Sequence, residues 1–529
     1  MKIDRLRIGN CARLPDLDIA VRRHLVLVGP NDGGKTSVLR CLDAVLRAPL
    51  SELYRWAPDL IRDGKEPMTV EVELCGFDDD DRASFCDEIE LRSQGGDEFE
   101  ERLTIRLEVG AVADDADDAV IERRAIKEGV RSPLRSAQLR ALGWSYLRAL
   151  RSADAELGGR GGAVRALLRE IDLGPDEVEL RQAIEDFDSA LSAATSLRKL
   201  RGDVAAALND VYPFAVTEDD VSVSLPRDDE DDLLEGVTLQ VARGATQTGL
   251  GDQSDGLRAM STVAMHRLAR RSARIAAVDE PEIHLHPRSQ ALIGRVLASS
   301  TSQVAVATHS PAVLASFSPS DVVVIRADQA VQVTDHSLDD DWRFLGHHWL
   351  DATLEPLTAV AVVLVEGVSD RILTHAVAEA MDFPLDRLGV SVVAVHGATS
   401  FKPVIRLFGP TGFRIPLHTL VDDVETPIVA KALGCEVGEL NANGVVVCNP
   451  DLEEECVRGL GVQRHADLLT LSGLYEMAHI RAACGNAPSI DAIDATLYVE
   501  FCRGDKVRIA AALAVLGHQV GDARRLMGG

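Results

Sequence analysis

The sequence predicts an α/β protein with two successive α/β domains, the first of which is interrupted by a helical insertion. Strand-like apolar segments alternate with turns over about the first 110 residues. Strands alternate with helices from about 250 to 326 and again from about 360 onward. Between these regions, at 133–211, apolar residues recur at helical spacing. A chain of 529 residues is also too long for one ordinary core.

Composition limits the class of protein. The hydrophobic content of 46% is that of a globular protein, and the aromatic share of 4% predicts cores of Ala, Leu and Val. No apolar stretch reaches the roughly 18 residues that span a bilayer, and the start MKIDRLRIGN lacks the apolar region of a signal peptide. The nine cysteines form no CxxC pair and no zinc-site spacing, which predicts reduced core thiols. We therefore expect a cytoplasmic protein.

The net charge of −28 argues against broad, non-specific binding to polyanions. Acidic runs at 78–81, 114–118 and 228–232 are interpreted as solvated loops. Nucleic acid is not excluded, because bound divalent metals and local arginines can neutralise phosphates. Only eight of the 56 basic residues are lysines, so a lysine at a chemically demanding position is less expected by chance.

The elements follow in a defined order along the chain. IDRLRI, HLVLVG, MTVEVEL and RLTIRLEV predict strands in residues 1–132, the N-terminal part of the first domain. Residues 133–211, broken by GGRGG at 158–162, predict a helical insertion that we expect to serve in dimerisation. Residues 212–345 form the expected C-terminal part of that domain. AVVLVEG, SVVAVHG, LHTLVDD and GVVVCNP predict a parallel sheet in a second domain at 355–529.

A phosphate-binding loop is predicted directly after the strand HLVLV. The segment GPNDGGKT fits GxxxxGK[ST], and the helical SVLRCLDAVL follows it. Small residues let backbone N–H groups close around phosphates, and the helix N-terminus adds a favourable dipole. Lys35 is expected to pair with the β- and γ-phosphates, and Thr36 to ligate Mg²⁺, which predicts bound ATP with one metal ion. The predicted loop residues are Gly29, Asn31, Gly34, Lys35, Thr36 and Ser37.

Three further elements follow the loop along the chain. Ser254 and Gly256 lie in LGDQSDG at a strand-to-helix transition. Asp279 and Glu280 end the strand IAAV, where the Asp suits Mg²⁺ and the Glu suits a base that orients water. His309 follows the strand QVAVA. These elements, in this order, resemble the ABC ATPases of the RecF/SMC type.

The resemblance implies roles for these residues. Ser254 and Gly256 would form the signature segment, residues 282–287 would occupy the D-loop region, and His309 would be the switch histidine near the γ-phosphate. The two histidines at 284 and 286 are interpreted as structural. In ABC-type heads the signature segment of one subunit closes on the nucleotide of its partner. One P-loop and one signature in this chain therefore imply a homodimer or a higher homo-oligomer.

A second set of acids follows the strands of the C-terminal domain. The strand AVVLV ends at Glu366, and Asp370 lies in the first turn of the next helix. This arrangement resembles the opening of a Toprim domain. A Toprim domain has Asp-x-Asp at the carboxyl edge of a later strand, where α/β folds place ligands, whereas this sequence reads DDVE at 422–425. Strand position favours Asp422 as the ligand, and the roles of Asp423 and Glu425 stay open.

Two more features resemble the OLD (overcoming lysogenization defect) family of nucleases. Asp451 and Glu453 follow GVVVCN, as the extra acidic pair of that family does, and Lys506 lies where the family has a late lysine. The family also joins an ABC-type head to a C-terminal Toprim domain. The resemblance covers nearly the whole chain, least between 110 and 250. It implies cleavage of DNA and phage defence, and it allows an accessory partner such as a helicase.

Several carboxylates at one sheet edge repel each other unless cations lie between them. Oxygen ligands suit Mg²⁺ or Mn²⁺ rather than Zn²⁺. Two such ions roughly 4 Å apart could activate a water and stabilise the leaving oxygen of a phosphodiester. Lys506 would then neutralise charge on the scissile phosphate. The expected ligands are Glu366 and Asp422 for one ion and Asp370, Asp451 and Glu453 for the other.

The leading hypothesis is therefore an ATP-binding, metal-dependent endonuclease that acts in phage defence or DNA processing. The alternative is an ATP-gated DNA clamp with an inactive Toprim domain, which the irregular DDVE segment favours. A topoisomerase would need a nucleophilic tyrosine in a separate DNA-gate domain, and a primase would need a zinc module. Glu280 favours hydrolysis of ATP, and the sign of any coupling between ATP and cleavage stays open.

Overall fold

The computed structural model describes most of the chain in six stretches. These are residues 1–48, 66–147, 189–224, 238–249, 274–333 and 354–514, without 96–97, 113–114, 128–129, 244–245, 284 and 327, together with a few isolated residues between the stretches. The chain divides into two compact units, Met1–Ala330 and Val331–Gly529. The expected boundary between 345 and 355 lies mostly outside the described residues.

Two general expectations can be compared with the described residues. None of their helices is both long enough and apolar enough to cross a bilayer. All nine cysteines are described, and all are free thiols. Seven of them are buried, as expected for core thiols.

Strands and helices of the first unit follow in chain order, and the last strand extends two residues past the boundary of the unit. The strands are β1 (Lys2–Gly9), β2 (Leu17–Ala20), β3 (Leu25–Val28), β4 (Met68–Cys75), β5 (Glu90–Gly95), β6 (Glu98–Val112), β7 (Asp115–Lys127), β8 (Val130–Pro133), β9 (Trp144–Leu147), β10 (Val221–Ser224), β11 (Thr238–Arg243), β12 (Thr246–Gly249), β13 (Ile275–Asp279), β14 (Gln303–Ala307), β15 (Val322–Ile325) and β16 (Ala330–Gln332). The helices are α1 (Lys35–Leu46), α2 (Asp79–Ser84), α3 (Ser136–Ala141), α4 (Thr195–Asn209), α5 (Pro287–Ala298) and α6 (Pro311–Leu314).

A six-stranded sheet in the order β16-β15-β3-β14-β13-β9 carries the predicted nucleotide-binding residues. β3 pairs in parallel with β14 and β15, and β13 pairs in parallel with β14 and β9. Its central strands LVLV, QVAVA and VVVI are buried throughout, as expected for strands covered on both faces. Because the strands are parallel, the residues that follow β3, β13 and β14 meet at one edge.

The second large sheet of this unit is antiparallel, in the order β2-β1-β4-β6-β7-β8, with β5 paired to β6. Its strands alternate between buried apolar residues and half-exposed charged residues such as Arg7, which pairs with Glu71. α1 packs against strands of both sheets. Gln303 at the start of β14 links the two sheets directly, because its amide accepts the N–H of Ile3 at 2.7 Å and donates to the carbonyl of Ile3 at 2.9 Å.

One part of the expected helical insertion at 133–211 is wrong. Trp144–Leu147 is the strand β9 of the parallel sheet, with Trp144 beside Ile275. The aromatic residues of WSYL favour a strand, and Trp144 donates from its indole N–H to Asp43 of α1 at 2.8 Å. Residues 148–181 lie outside the described residues, and α4 farther along is helical as expected.

The second unit contains a four-stranded parallel sheet in the order β18-β17-β19-β20, which confirms the predicted parallel sheet. The strands are β17 (Ala361–Val365), β18 (Val390–Ala394), β19 (Leu417–Asp422) and β20 (Val445–Cys448). The helices are α7 (Leu354–Thr358), α8 (Val368–Ala380), α9 (Phe401–Phe408), α10 (Thr426–Leu433), α11 (Leu452–Leu460), α12 (Val462–Leu471), α13 (Met477–Ala483), α14 (Ala495–Gly504) and α15 (Lys506–Leu513). The last five helices share one apolar core with Leu373 of α8. This core fixes α15 beside α8, at the edge where the strands end.

Candidate functional site

The predicted phosphate-binding loop joins β3 to α1. Gly34 has a φ of +96°, and a Cβ at this position would come within 2.3 Å of Leu14 Cδ2, so the loop requires glycine here. Lys35 is 5% exposed. Its ammonium donates to the carbonyls of Gly29 at 3.0 Å and Pro30 at 2.9 Å. Burial lowers the pKa of Lys35, and neighbouring carboxylates oppose this shift.

Thr36 and Asp279 meet beneath this loop. Thr36 Oγ1 donates to Asp279 Oδ1 at 3.2 Å, and Tyr146 of β9 donates to Asp279 Oδ2 at 3.4 Å. Burial raises the pKa of Asp279, and the hydrogen bond from Thr36 opposes the shift. A hydroxyl beside a strand-end carboxylate is the protein donor set for the nucleotide's Mg²⁺ in P-loop NTPases. Asn31 is exposed on the loop, and Ser37 is half-buried in the first turn of α1.

His309 lies at the same edge, after β14. Its backbone N–H donates to Glu282 Oε1, and its Nε2 lies 3.9 Å from Glu280 Oε1. Burial lowers the pKa of His309, and the charge of Lys35 adds to this, so the ring is neutral near pH 7. Glu280 has a φ of +47°, which is uncommon for a non-glycine residue. The N–H of Glu280 donates to Ala307 O at 2.9 Å, which ties β13 to the end of β14.

The predicted signature segment is only partly described. Ser254 is exposed and Gly256 is half-buried, whereas residues 250–253 and 255 lie outside the described residues. Of the two histidines interpreted as structural, His284 also lies outside them. His286 precedes α5 as its N-cap, and its Nδ1 accepts the N–H of Arg288 at 3.4 Å.

Acidic side chains gather at the carboxyl edge of the second parallel sheet. Glu366 directly follows β17, and Asp422 ends the neighbouring strand β19. Asp370 lies in the first turn of α8, where its Oδ2 accepts the N–H of Gly367 at 2.8 Å. Burial raises the pKa of Asp370, and the charge of Glu366 adds to this shift. These carboxylates therefore act on one another at a single edge.

Glu425 joins this group. It ends the short 3-10 turn Asp423–Glu425 and is 5% exposed. Its Oε2 accepts the N–H of Asp422 at 3.1 Å, and its carboxyl shares a hydrogen bond with Glu366. Burial and this contact raise the pKa of Glu425 to about 7. Two carboxyls in contact require a proton or a cation between them, because like charges repel.

Asp422 carries the second large shift at this edge. Burial raises the pKa of Asp422 to about 6, and the charges of Glu453 and Asp370 add to the effect. The N–H of Leu452, 3.0 Å from Asp422 Oδ1, and the charge of Lys506 oppose it. The opposing groups do not compensate for the burial of this carboxylate.

Lys506 is the first residue of α15, and the structure places it among these acids. Its Nζ lies 2.9 Å from Oε2 of Glu453, which is 7% exposed. Burial lowers the pKa of Lys506, but Glu453 and the charge of Asp422 outweigh burial and raise it. The ammonium is therefore charged at the acidic edge.

Asp451 has other partners. Its Oδ1 accepts the N–H of Glu454 at 2.9 Å as the N-cap of α11, and its Oδ2 accepts Nε of Arg503 at 2.6 Å. Although burial would raise it, the bond from Arg503 lowers the pKa of Asp451. Arg503 also pairs with Glu454 at 3.1 Å. As a metal ligand, Asp451 would first have to leave Arg503, and its assignment stays a prediction.

The donors at this edge fit a hard divalent cation. Carboxylate oxygens are the ligands that Mg²⁺ and Mn²⁺ take in proteins. Burial raises the pKa values of Asp370, Asp422 and Glu425, and the charges of neighbouring acids add to each shift. Within the described residues, no three such side chains already stand in an arrangement that could hold an ion. Binding would therefore require these side chains to change conformation.

Sequence reasoning missed three contacts. Tyr146 donates a hydrogen bond to Asp279 from β9, a strand that lies within the segment predicted to be helical. Glu282 was included only in the D-loop region, and its bond to His309 had no sequence signal. Arg503 belongs to no recognisable sequence motif. Only the structure shows that it holds Asp451.

Two family models match the chain. One, described as "AAA domain, putative AbiEii toxin, Type IV TA system", matches residues 25–315, more than half of the chain. The chain belongs to this ATPase family. The other, described as "Overcoming lysogenization defect protein-like, TOPRIM domain", matches residues 357–423, which include Glu366, Asp370 and Asp422. The predicted union of an ATPase domain with an OLD-like Toprim domain is confirmed.

Solved structures give further similarities. An Smc head domain derived from Pyrococcus furiosus, bound to the C-terminal domain of ScpA, is 15% identical over 65% of this chain and 99% of that chain, with a TM-score of 0.41. The C-terminal region of the Burkholderia pseudomallei OLD protein is 28% identical over 32% of this chain and 96% of that chain, with a TM-score of 0.26. That of the Xanthomonas campestris pv. campestris OLD protein is 26% identical over 30% and 85%, with a TM-score of 0.26. A comparison with curated proteins gave no match.

As a member of this AAA ATPase family that also carries an OLD-like Toprim domain, the chain combines two kinds of chemistry. The ATPase domain implies the use of a nucleotide, and the Toprim domain implies the use of a divalent metal. The Toprim match ends at residue 423. Glu425, Glu453 and Lys506 therefore join the acidic edge from beyond the matched segment.

Proposed function

We propose that this ATPase is an ATP-binding endonuclease that hydrolyses DNA phosphodiesters with Mg²⁺ or Mn²⁺ in the cytoplasm, in phage defence or DNA processing. One observation carries the proposal. Glu366, Asp370 and Asp422 interact electrostatically at one sheet edge, and Lys506 lies beside them. Carboxylates that gather around a lysine suit a phosphodiester, because metal and lysine together balance the phosphate charge.

Each residue at this edge would have a distinct part. Glu366, Asp370, Asp422 and Glu453 would hold the divalent metal, two ions in the expected arrangement. The bound metal supplies Lewis acidity and lowers the pKa of a coordinated water. Lys506 would turn from Glu453, 2.9 Å away, toward the scissile phosphate and neutralise its developing charge. Asp451 would join only after release from Arg503.

The nucleotide site would act as in other P-loop ATPases. Lys35 would pair with the β- and γ-phosphates, and Thr36 and Asp279 would hold the metal ion of ATP. Glu280 would orient the attacking water, and the neutral ring of His309 could donate its N–H to the γ-phosphate. The loop residues Gly29, Asn31, Gly34 and Ser37 would enclose the phosphates.

We also propose a homodimer. By resemblance, Ser254 and Gly256 of one subunit would close on the nucleotide of its partner, and the exposure of Ser254 fits such a contact. Sedimentation with and without ATP would measure the assembly. An accessory partner such as a helicase stays a prediction.

Cleavage of supercoiled plasmid by the full chain tests the nuclease. We expect nicking with Mg²⁺ or Mn²⁺, and a loss of at least about 100-fold in Glu366→Gln, as for removal of one group that stabilises the transition state. Glu379→Gln is the matched control, because Glu379 is an exposed glutamate on α8, the helix of Asp370. If Glu366→Gln cleaves as fast as this control, the acids at this edge do not catalyse the reaction.

Variants of Lys35 test the nucleotide site. Lys35→Ala should lose ATP binding, whereas Lys431→Ala, which changes an exposed lysine, should retain it. The effect of Lys35→Ala on plasmid cleavage gives the sign of the coupling between the two sites. Full ATP affinity in Lys35→Ala would contradict the assignment of this loop.

A second function is favoured by two contacts. Arg503 donates a hydrogen bond to Asp451, and Glu425 shares a hydrogen bond with Glu366, so Asp451 and Glu366 already have protein partners. An ATP-gated DNA clamp with an inactive Toprim domain would keep these contacts permanently. Such a clamp would retard the plasmid in a gel without nicking it, and Glu366→Gln would not change the retardation.

A further inference from the structure

The segment after β14 is held to the segment after β13 by a carboxylate. Glu282 lies three residues beyond Asp279, and its Oε1 accepts the backbone N–H of His309. The hydroxyl of Thr308 lies close enough to this carboxylate to oppose the burial that raises the pKa of Glu282. Thr308 is fully buried and donates from its own N–H to Leu27 O of β3 at 3.1 Å. The carboxylate is thus anchored where three strands end.

A second set of bonds closes the connection. Ser310 Oγ donates to Gln290 Oε1 at 2.6 Å, and Gln290 Nε2 donates to Leu285 O at 2.9 Å. The histidine segment 308–310 is therefore tied at one end to Glu282 and at the other, through α5, to Leu285. Both ties reach residues that come after β13, one at Glu282 and the other at Leu285.

The ring of His309 is left facing the nucleotide site by these bonds. Glu282 contacts the backbone of His309, whereas the ring lies 3.9 Å from Glu280 and within the electrostatic influence of Lys35. A shift of the His309 backbone would move the ring with it. Because a displacement of 1 Å can disrupt a contact with a reacting group, the backbone bond determines where the ring can donate.

We infer that Glu282 is a positioning residue that holds His309 where its ring can contact the γ-phosphate of ATP. This inference rests on the proposed nucleotide site. Glu282 acts through His309 and does not itself touch the nucleotide. It would thereby link recognition of the γ-phosphate to Glu282 and Leu285, after β13.

Equilibrium binding of ATP and ADP tests the inference in the full chain. Glu280→Gln serves as the background, so that ATP is not consumed. We expect His309→Ala to lower the preference for ATP over ADP by about tenfold, and Glu282→Ala to lower it comparably. Glu282→Ala combined with His309→Ala should show no further loss, because both changes remove one contact. Glu282→Gln should retain most of the preference, since its amide oxygen can accept the same N–H.

Two controls separate positioning from general damage. Asp219→Ala removes an exposed acid of the same unit and should leave both affinities unchanged. The affinity for ADP should also stay within about twofold in Glu282→Ala, because ADP lacks the γ-phosphate. A variant with a disrupted fold would lose both nucleotides.

Distinct results would overturn each level of the reasoning. If His309→Ala loses the ATP preference but Glu282→Ala keeps it, Glu282 does not position the ring. Independent, additive losses in the double variant, or an equal loss in Glu282→Gln, would likewise refute a backbone bond as the cause. If His309→Ala itself keeps the preference, the proposed role of His309 fails first, and the inference falls with it.

Discussion

Replacing Asp422 by Asn should stabilise the metal-free second unit above neutral pH. Asp422 is half-buried among other acids, and its pKa is raised to about 6. Asn keeps the oxygen that accepts the N–H of Leu452 at 3.0 Å, so the variant removes the charge and preserves the hydrogen bond. The substitution therefore isolates the free energy that the fold loses by keeping this carboxylate ionised.

The size of this effect follows from linkage. A carboxyl whose folded-state pKa is raised stabilises the fold below its ordinary pKa of 3.8, and this stabilisation is lost as the pH rises through about 6. The difference of about 2 in pKa corresponds to about 3 kcal/mol as an upper limit. Water access and relaxation at a half-buried site reduce the expected gain of Asp422→Asn to about 1–2 kcal/mol.

Urea unfolding of the full chain between about pH 4 and pH 8 would measure this gain. We expect the wild-type second unit to lose stability across this range, and the variant to lose less. The dependence will not vanish, because Glu425, with a pKa of about 7, still titrates in the variant. Addition of Mn²⁺ should stabilise the wild type more than Asp422→Asn, because a cation that binds only the folded state shifts the unfolding equilibrium.

Glu379→Gln removes an exposed charge of the same unit and provides the baseline. Two results would contradict this reasoning: the same pH dependence of the unfolding free energy in wild type and Asp422→Asn, or a variant less stable than wild type at pH 8. In either case, burial of the ionised Asp422 carboxylate does not destabilise the fold. If Mn²⁺ stabilises both proteins equally, Asp422 is not a ligand of the ion.

Two further predictions concern the ATPase unit. Arg123 is buried and donates hydrogen bonds to the carbonyls of Ala44, at 2.6 Å, and Ala48 at the C-terminal end of α1. Arg123→Met leaves these carbonyls without their charged donor. It should therefore destabilise the unit by about 2–3 kcal/mol. Thermal or urea unfolding would reveal this, and an unchanged transition would refute it. Gly34→Ala should weaken ATP binding by at least about tenfold, because its Cβ would meet Leu14 at 2.3 Å. Gly202→Ala, in α4 with no atom within 4 Å of the added Cβ, is the control and should bind ATP normally.

The nucleotide loop could be predicted because its signals are consecutive in the chain. A strand, a glycine loop and a helix follow one another within residues 25–46. β9 could not be predicted in the same way, because it has four residues and its partner β13 comes far later in the chain. Strand pairing at such separation leaves no local pattern beyond a few aromatic residues.

The acidic edge shows the same limit for single side chains. Asp422 ends a strand and Asp451 comes three residues after one, and further acids follow both in the sequence. Arg503, on α14, distinguishes them because it bonds only to Asp451 of the two among the described contacts. Glu425 does not fit the Asp-x-Asp spacing. The 3-10 turn after β19 nevertheless brings its carboxyl next to that of Glu366. The spacing of the acids along the chain therefore predicted that they would gather at this sheet edge. It did not predict which side chains each acid would contact.

The amide of Gln303 makes the same two hydrogen bonds to Ile3 that a neighbouring strand would make. One side chain thereby fastens the first antiparallel strand to the edge of the parallel sheet, with α1 enclosed between them. We expect such a clamped sandwich to resist sliding of one layer over the other. The two sheets would then move as one body, because this side chain and α1 join them.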